Sequence, residues 1–239
     1  MLLNHNITPV SEATDIKRFK REVATYLGVP ITYANMDGWA TKDQFDVVRE
    51  AGAFKVGNGT ALCTNRMKTA PFEEFLKECF PNGNCVVYYG FDASETRRIQ
   101  RRLAHLSSLG YQSDYPLALW PQRTIQSTRE VGIEPPNVYS RFKHANCVGC
   151  LKAGRQHWYV VFCTRPDVWA KAKFAEEDIG YTIIKGVSLT DLEPLFERMR
   201  CAGIEASEHT HAQTFWAKVR ALGLSIDEPG DQRPCECVI

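Results

Sequence analysis

Cys85-Val86-Val87-Tyr88-Tyr89, followed by Gly90-Phe91-Asp92-Ala93-Ser94, decides the fold class of this 239-residue chain. Five apolar residues run unbroken between Gly83 and Gly90, the pattern of a central strand buried on both faces of a parallel sheet. Ser94 is placed to cap a helix that buries Ile99, Leu103 and Leu106 and stops at Gly110. Upstream the same alternation recurs. Met1 to Asn4 predicts a short strand, and Ile16, Phe19, Val23 and Leu27 repeat at helical spacing behind Ser11 or Thr14 as cap. Gly28 and Pro30 end that helix, and Val29 to Ala34 predicts the next strand. A helix over Lys42 to Ala51 and a strand at Phe54-Lys55-Val56 continue the series. Strands alternating with helices predict an α/β protein: a Rossmann-like parallel sheet flanked by helices, with a helical C-terminal extension.

Downstream, Phe72, Phe75, Leu76 and Cys79 mark the buried stripe of a helix after Cys63, stopped by Pro81. Tyr111 to Asn146 holds four prolines around one short helix and predicts irregular structure along the sheet edge. A strand over Trp158 to Cys163, a helix over Val168 to Ile179 and a strand-like run over Tyr181 to Ile184 follow. Thr190 with Glu193, and Thr210 with Gln213, have capping-box spacing for two last helices. The division expected is a domain over 1–185 and, over 186–239, a helical extension ending in a cysteine-bearing tail.

Hydrophobic residues make up 44% of the chain and charged residues 24%, as in an ordinary globular protein. No apolar run approaches the roughly 20 residues that span a bilayer. Met1 to His5 has no basic stretch leading into an apolar one, so a cytoplasmic protein without a membrane partner is expected. A net charge of +1 supplies no global attraction to nucleic acid. Gly-x-Ser-x-Gly and His-Glu-x-x-His are both lacking, so no hydrolase triad or zincin site is indicated.

Nine cysteines without an export signal point to metal or redox chemistry rather than a disulfide framework. Cys79, Cys85 and Cys163 fall on apolar stripes or runs and are expected in the core. Cys147 and Cys150 are different. A two-residue spacer lets two thiolates face one metal, and the small Gly149 eases the turn between them. Cys63 is a candidate third ligand and Cys235 or Cys237 a fourth, for zinc or a [4Fe–4S] cluster; an inert turn is the alternative. His144 is a reserve ligand, whereas His105, His209 and His211 have no partner at metal spacing. Arg66, Lys68, Lys152, Arg155 and His157 crowd around these cysteines, where cations lower thiol pKa values and attract anions. Glu95 and Arg98 share one helix face just beyond the Cys85–Tyr89 run, where ligands bind in parallel α/β sheets.

Taken in order, these pieces resemble the phosphoadenosine phosphosulfate reductase family, within the adenine nucleotide alpha-hydrolase-like superfamily, over about residues 1 to 185. Cys63-Thr64-Asn65-Arg66-Met67-Lys68-Thr69-Ala70-Pro71 resembles its Cys-Thr-x-x-x-Lys-x-x-Pro segment. Gly90 to Arg98 is similar to its Gly-x-x-x-x-Glu-x-x-Arg stretch, and Tyr115 to Trp120 to its Pro-Leu-x-x-Trp segment. His144 to Lys152, with Gly154-Arg155 and Trp158, resembles its cysteine pair and trailing Gly-Arg and Trp. The resemblance implies an adenine nucleotide or sulfonucleotide substrate, sulfonucleotide reduction or sulfur transfer, and a thiol electron donor. It implies that Arg66, Lys68, Glu95, Arg98, Lys152 and Arg155 hold the anionic substrate. Cys63, Cys147, Cys150 and Cys235 would ligate the [4Fe–4S] cluster or zinc, and Cys235 or Cys237 would act as redox nucleophile. The chain departs from the family in three places. Leu62 stands where cluster-bearing relatives have a second cysteine. No glycine precedes Gly28, so the Ser-Gly-Gly-x-Asp-Ser phosphate loop has no counterpart. The tail Cys235-Glu236-Cys237-Val238-Ile239 lacks the Gly and His of the reductases' Glu-Cys-Gly-x-His. These departures define the alternative: a degenerate, non-catalytic, metal-stapled module that engages protein or nucleic acid.

Overall fold

Two pairs of short parallel strands carry the α/β character of the computed structural model, which describes residues 1–4, 12–35, 38, 41–55, 61–120, 122–143 and 147–224. The first pair is β1 (Leu2–Asn4) and β2 (Ile31–Tyr33), in register Leu2 to Ile31 and Asn4 to Tyr33. Helix α1 (Thr14–Leu27) makes the crossover between them. Gly28, at φ 64°, closes that helix by donating its N–H to Ala24 and Thr25 carbonyls. The second pair is β3 (Val86–Tyr88) and β4 (Gln112–Asp114), joined by α5 (Thr96–Ser108) and paired Val86 to Gln112.

The β3 run is not the doubly buried centre its sequence predicts. Val86 is 43% exposed and Tyr88 66% exposed, with Val87 alone half-buried. Among the described residues β4 is its only strand partner. The described strands form two separate two-stranded sheets. Strand β4 itself lies in a stretch expected to be irregular. Gln112-Ser113-Asp114 has no apolar alternation to announce it, and only its pairing to β3 makes it a strand.

Helices fill most of the rest. Asp43 caps α2 (Gln44–Glu50), accepting N–H bonds from Phe45 at 2.8 Å and Asp46 at 3.0 Å. A continuous rod follows: α3 (Leu62–Thr64), a π turn (Asn65–Thr69) and α4 (Ala70–Cys79). Cys79, expected on the buried stripe of that rod, is an exposed free thiol. After β4 come α6 (Pro116–Leu119) and then α7 (Arg155–Thr164), α8 (Pro166–Ile179), α9 (Leu189–Cys201) and α10 (Ala212–Ala221). The strand expected over Trp158 to Cys163 is therefore α7. Its residues His157 through Val161 are all buried, so helical periodicity is erased and an apolar, β-branched run remains. Tyr181 to Ile184 is no strand either, since only an isolated bridge joins Ile184 to Val187. Lys55 likewise makes one bridge, to Ala61, and Val56 lies outside the described residues. Four caps also shift, the first being Ala13 in place of Thr14 ahead of α1. Asp92 replaces Ser94 ahead of α5, Ser188 with Asp191 replaces Thr190 with Glu193 on α9, and His211 replaces Thr210 on α10. Leu103, expected inside, is 45% exposed on α5.

The larger core gathers Phe45, Trp158, Tyr159, Val161, Leu192, Phe196 and Phe215, so α9 and α10 pack on the same core as α2, α7 and α8. A smaller core holds Phe72, Leu76, Tyr89, Phe91, Leu106 and Tyr115 under β3, β4 and α5. Glu176 anchors the turn between α8 and α9: its buried carboxylate accepts N–H bonds from Ile183 at 2.7 Å and Leu189 at 2.6 Å. Burial nevertheless outweighs those bonds and raises its pKa above the usual carboxylate value. The folded chain thus holds the Glu176 proton more tightly than the unfolded one. Its contribution to stability is greatest below the unfolded pKa and is lost as pH rises through the folded pKa. Urea unfolding between about pH 4 and about pH 8 should show that decline in the parent and a flatter profile in Glu176→Gln. Parallel profiles would refute it.

Candidate metal and anion site at the cysteine pocket

Cys63 sits in the middle of α3, held where Leu62 donates its N–H to the Phe54 carbonyl at 3.1 Å. Immediately after it, the π turn closes with Ala70 N–H on the Asn65 carbonyl, an i to i+5 bond. Such wide turns are rare and recur at functional sites. Here the wide turn keeps Lys68, five residues on, on the same side as Cys63, and both line one pocket.

The same pocket is lined by Cys147 and Cys150, the ends of the second cysteine turn. Gly149 takes φ 74°, the left-handed conformation that favours glycine, which bears out its expected role in the turn. Gln44, 1% exposed, donates its amide to the carbonyls of Val148 at 2.9 Å and Gly149 at 3.2 Å. His157 takes the amide hydrogens of the same turn: Nε2 accepts from Gly149 at 3.1 Å and Cys150 at 3.2 Å. The turn is therefore gripped on its carbonyls by one buried side chain and on its amides by another.

Cys63, Cys147 and Cys150, far apart in sequence, line this one pocket together with Gln44, Thr64, Met67, Lys68 and Leu151. The three cysteines share that lining with the apolar side chains of Met67 and Leu151. Among the described residues, however, no three His, Cys, Asp or Glu side chains are drawn into a metal-holding group. His144, Cys235 and Cys237 lie outside the described residues.

Positive charge borders the pocket on one side. Lys68 lines it, and Lys20 of α1 lies near enough that the Lys68 charge helps depress the Lys20 pKa. Burial is the main cause of that depression, working against the ion pair of Lys20 with the buried Glu12. Arg66 is exposed and does not line the pocket; Lys152 and Arg155 are half-buried and do not line it either.

Glu95 and Arg98 meet elsewhere, over the smaller core. They form an ion pair within one turn, and the Arg98 guanidinium lies 4.6 Å from the Phe91 ring centroid. Phe91 stacks with Tyr89 at 5.4 Å and Tyr115 at 6.1 Å, all beyond the carboxyl ends of β3 and β4. Burial pushes the Tyr89 hydroxyl up to about 12. Of the substrate residues read from the sequence, Lys68 lies at the cysteines and Glu95 and Arg98 at the aromatic stack, while Arg66, Lys152 and Arg155 are not among the residues lining the pocket. Gln44, Lys20 and Glu208 were not singled out by sequence reasoning. Gln44 carries no motif, and only burial reveals its role.

The chain is a mixed α/β protein whose widely separated cysteines share one pocket. No family model matches it, and no solved structure matches it. It is similar to the uncharacterized nin region protein ORF290 of Escherichia phage lambda, 26% identical over 236 residues, spanning 85% of this chain and 75% of that protein.

Proposed function

We propose that the chain is a phosphoadenosine phosphosulfate reductase-like protein that binds an adenine nucleotide or sulfonucleotide and holds a [4Fe–4S] cluster or zinc on its cysteines. The observation that carries this reading is the shared pocket of Cys63, Cys147 and Cys150 with Lys68 on its wall. The two parallel crossover units, β1-α1-β2 and β3-α5-β4, support a Rossmann-like sheet as its framework. Cys63, Cys147 and Cys150 supply three thiolates, with Cys235 or Cys237 as fourth ligand or redox nucleophile. Lys68 supplies positive charge for an anionic sulfur or phosphate group, and Glu95 with Arg98 a polar pair at the strand ends. When bound, a cluster or zinc ion would supply electrostatic stabilisation beside that anion and, for iron–sulfur, a path for electrons.

Protein purified without oxygen should carry near-stoichiometric iron or zinc, with a broad visible absorption if the metal is iron–sulfur. Replacing Cys63, Cys147 or Cys150 with alanine should weaken metal binding by at least about 100-fold, beyond the cost of outer-shell changes. Metal-free protein in which all three cysteines alkylate as fast as exposed Cys79 would end the metal reading. Calorimetric titration with adenine nucleotides separates the enzyme from the non-catalytic module. Metal binding with nucleotide affinity weaker than about 1 mM, some 4 kcal/mol, favours the module.

A further inference from the structure

His157 lies in α7, 8% exposed, between Phe142 and Trp158, whose ring centroids are 5.2 Å and 5.9 Å from its own. Its Nε2 accepts two backbone hydrogens, from Gly149 and Cys150, so that nitrogen carries a lone pair and not a proton. Nδ1 is then the protonated nitrogen, and it donates to Glu208 Oε1 at 2.7 Å. Glu208 is itself held, its second oxygen accepting from Lys143 N at 3.0 Å and its own N–H donating to the Arg141 carbonyl at 2.8 Å. Successive amides beside a left-handed glycine form a concave nest that attracts electron pairs. In this protein an imidazole lone pair fills the nest, and a carboxylate from the loop after α9 fixes the tautomer that makes the lone pair available.

We infer that His157 and Glu208 are the positioning pair of the cysteine pocket: together they hold the Cys147–Cys150 turn in the one conformation that points it at Cys63. The inference rests on the functional reading of that pocket but concerns its own residues. The arrangement resembles the outer-shell acceptors that orient metal ligands, except that here the backbone of the ligand turn is oriented rather than a ligand side chain. It also gives the loop at Ser207–His209 a hold, through His157, on cysteines more than fifty positions away.

The test is site-resolved alkylation with iodoacetamide, read by mass spectrometry on the full chain without added metal. This readout stands whether or not the protein binds metal, while metal content measured on the same samples reports on the functional reading separately. His157→Phe keeps a ring in the slot and removes the acceptor, and His157→Gln returns an oxygen near the Nε2 position. Cys147 and Cys150 should alkylate about tenfold faster in His157→Phe, the effect of leaving two buried amides unpaired, and near the parent rate in His157→Gln. Half-buried Cys163, on the same helix, should keep its parent rate in both. Parent rates at the pair in His157→Phe, or equal acceleration at Cys163, would overturn the inference. If His157→Phe does not fold, Glu208→Ala against Glu208→Gln decides it. Acceleration only in the alanine variant supports the positioning role, and parent rates in both variants refute it.

Discussion

Gly149→Ala is expected to cost about 3 kcal/mol or more and to expose the cysteine pair. Two separate penalties act at that one position. At φ 74° a Cβ is strained against its own backbone by about 1–2 kcal/mol. The added carbon would also stand 2.5 Å from Val168 Cγ1, 3.2 Å from Phe45 Cζ and 3.3 Å from Trp158 Cη2. Those are core atoms on three different helices, and overpacking of this kind costs about 1–3 kcal/mol more. Gly28 separates the two penalties, because it has φ 64° but no atom of the described residues within 4 Å of where a methyl would stand. Gly28→Ala should therefore cost only the backbone share, about 1 kcal/mol. Urea unfolding of the two variants side by side measures the difference. Equal destabilisation would mean that the Cys147–Cys150 turn is free to move away from α8, and that His157 and Gln44 do not grip it.

How far the fold was legible follows from where its signals come from. The β1-α1-β2 unit was readable because Ile16, Phe19, Val23 and Leu27 face one side of a helix bounded by Gly28, a local pattern with local causes. Helix α7 was misread because burial on every side removes the polar face that marks a helix. Arg155-Gln156-His157-Trp158-Tyr159-Val160-Val161 then looks like a strand. The error at β3 runs the other way: an unbroken apolar run reads as doubly buried, and only the pairing pattern shows that one edge has no described partner. At the site, the cysteines and Lys68 were legible as residue types with meaningful spacing. Gln44, Lys20 and Glu208 were not, because a residue that acts by reaching a distant backbone or charge leaves no periodicity behind. The substrate group was legible as a list but not as a place, since the cysteine pocket borders the larger core while Glu95 and Arg98 lie over the smaller one.

Trp158→Ala should destabilise the protein by about 3–5 kcal/mol, the range for deleting a large buried aromatic. Trp158 is 0% exposed and packs edge-on against Trp169 at 6.3 Å and His157 at 5.9 Å, beneath the Gly149 turn. Trp158→Phe should cost far less, about 1–2 kcal/mol, for a reason specific to this site. The indole Nε1–H is buried and has no hydrogen-bond partner among the described residues. An unpaired buried donor carries a penalty of about 1–3 kcal/mol, and phenylalanine removes it while keeping most of the ring. Loss of volume and loss of an unsatisfied donor then partly offset each other. Alanine gains the same relief but leaves a cavity where the indole supported the cysteine turn, so Cys147 and Cys150 should alkylate faster in Trp158→Ala and near the parent rate in Trp158→Phe. Were the phenylalanine variant as unstable as the alanine one, the indole N–H would have to be bonded in the folded protein. The tryptophan would then be kept for a polar contact and not as the floor on which the cysteine turn rests.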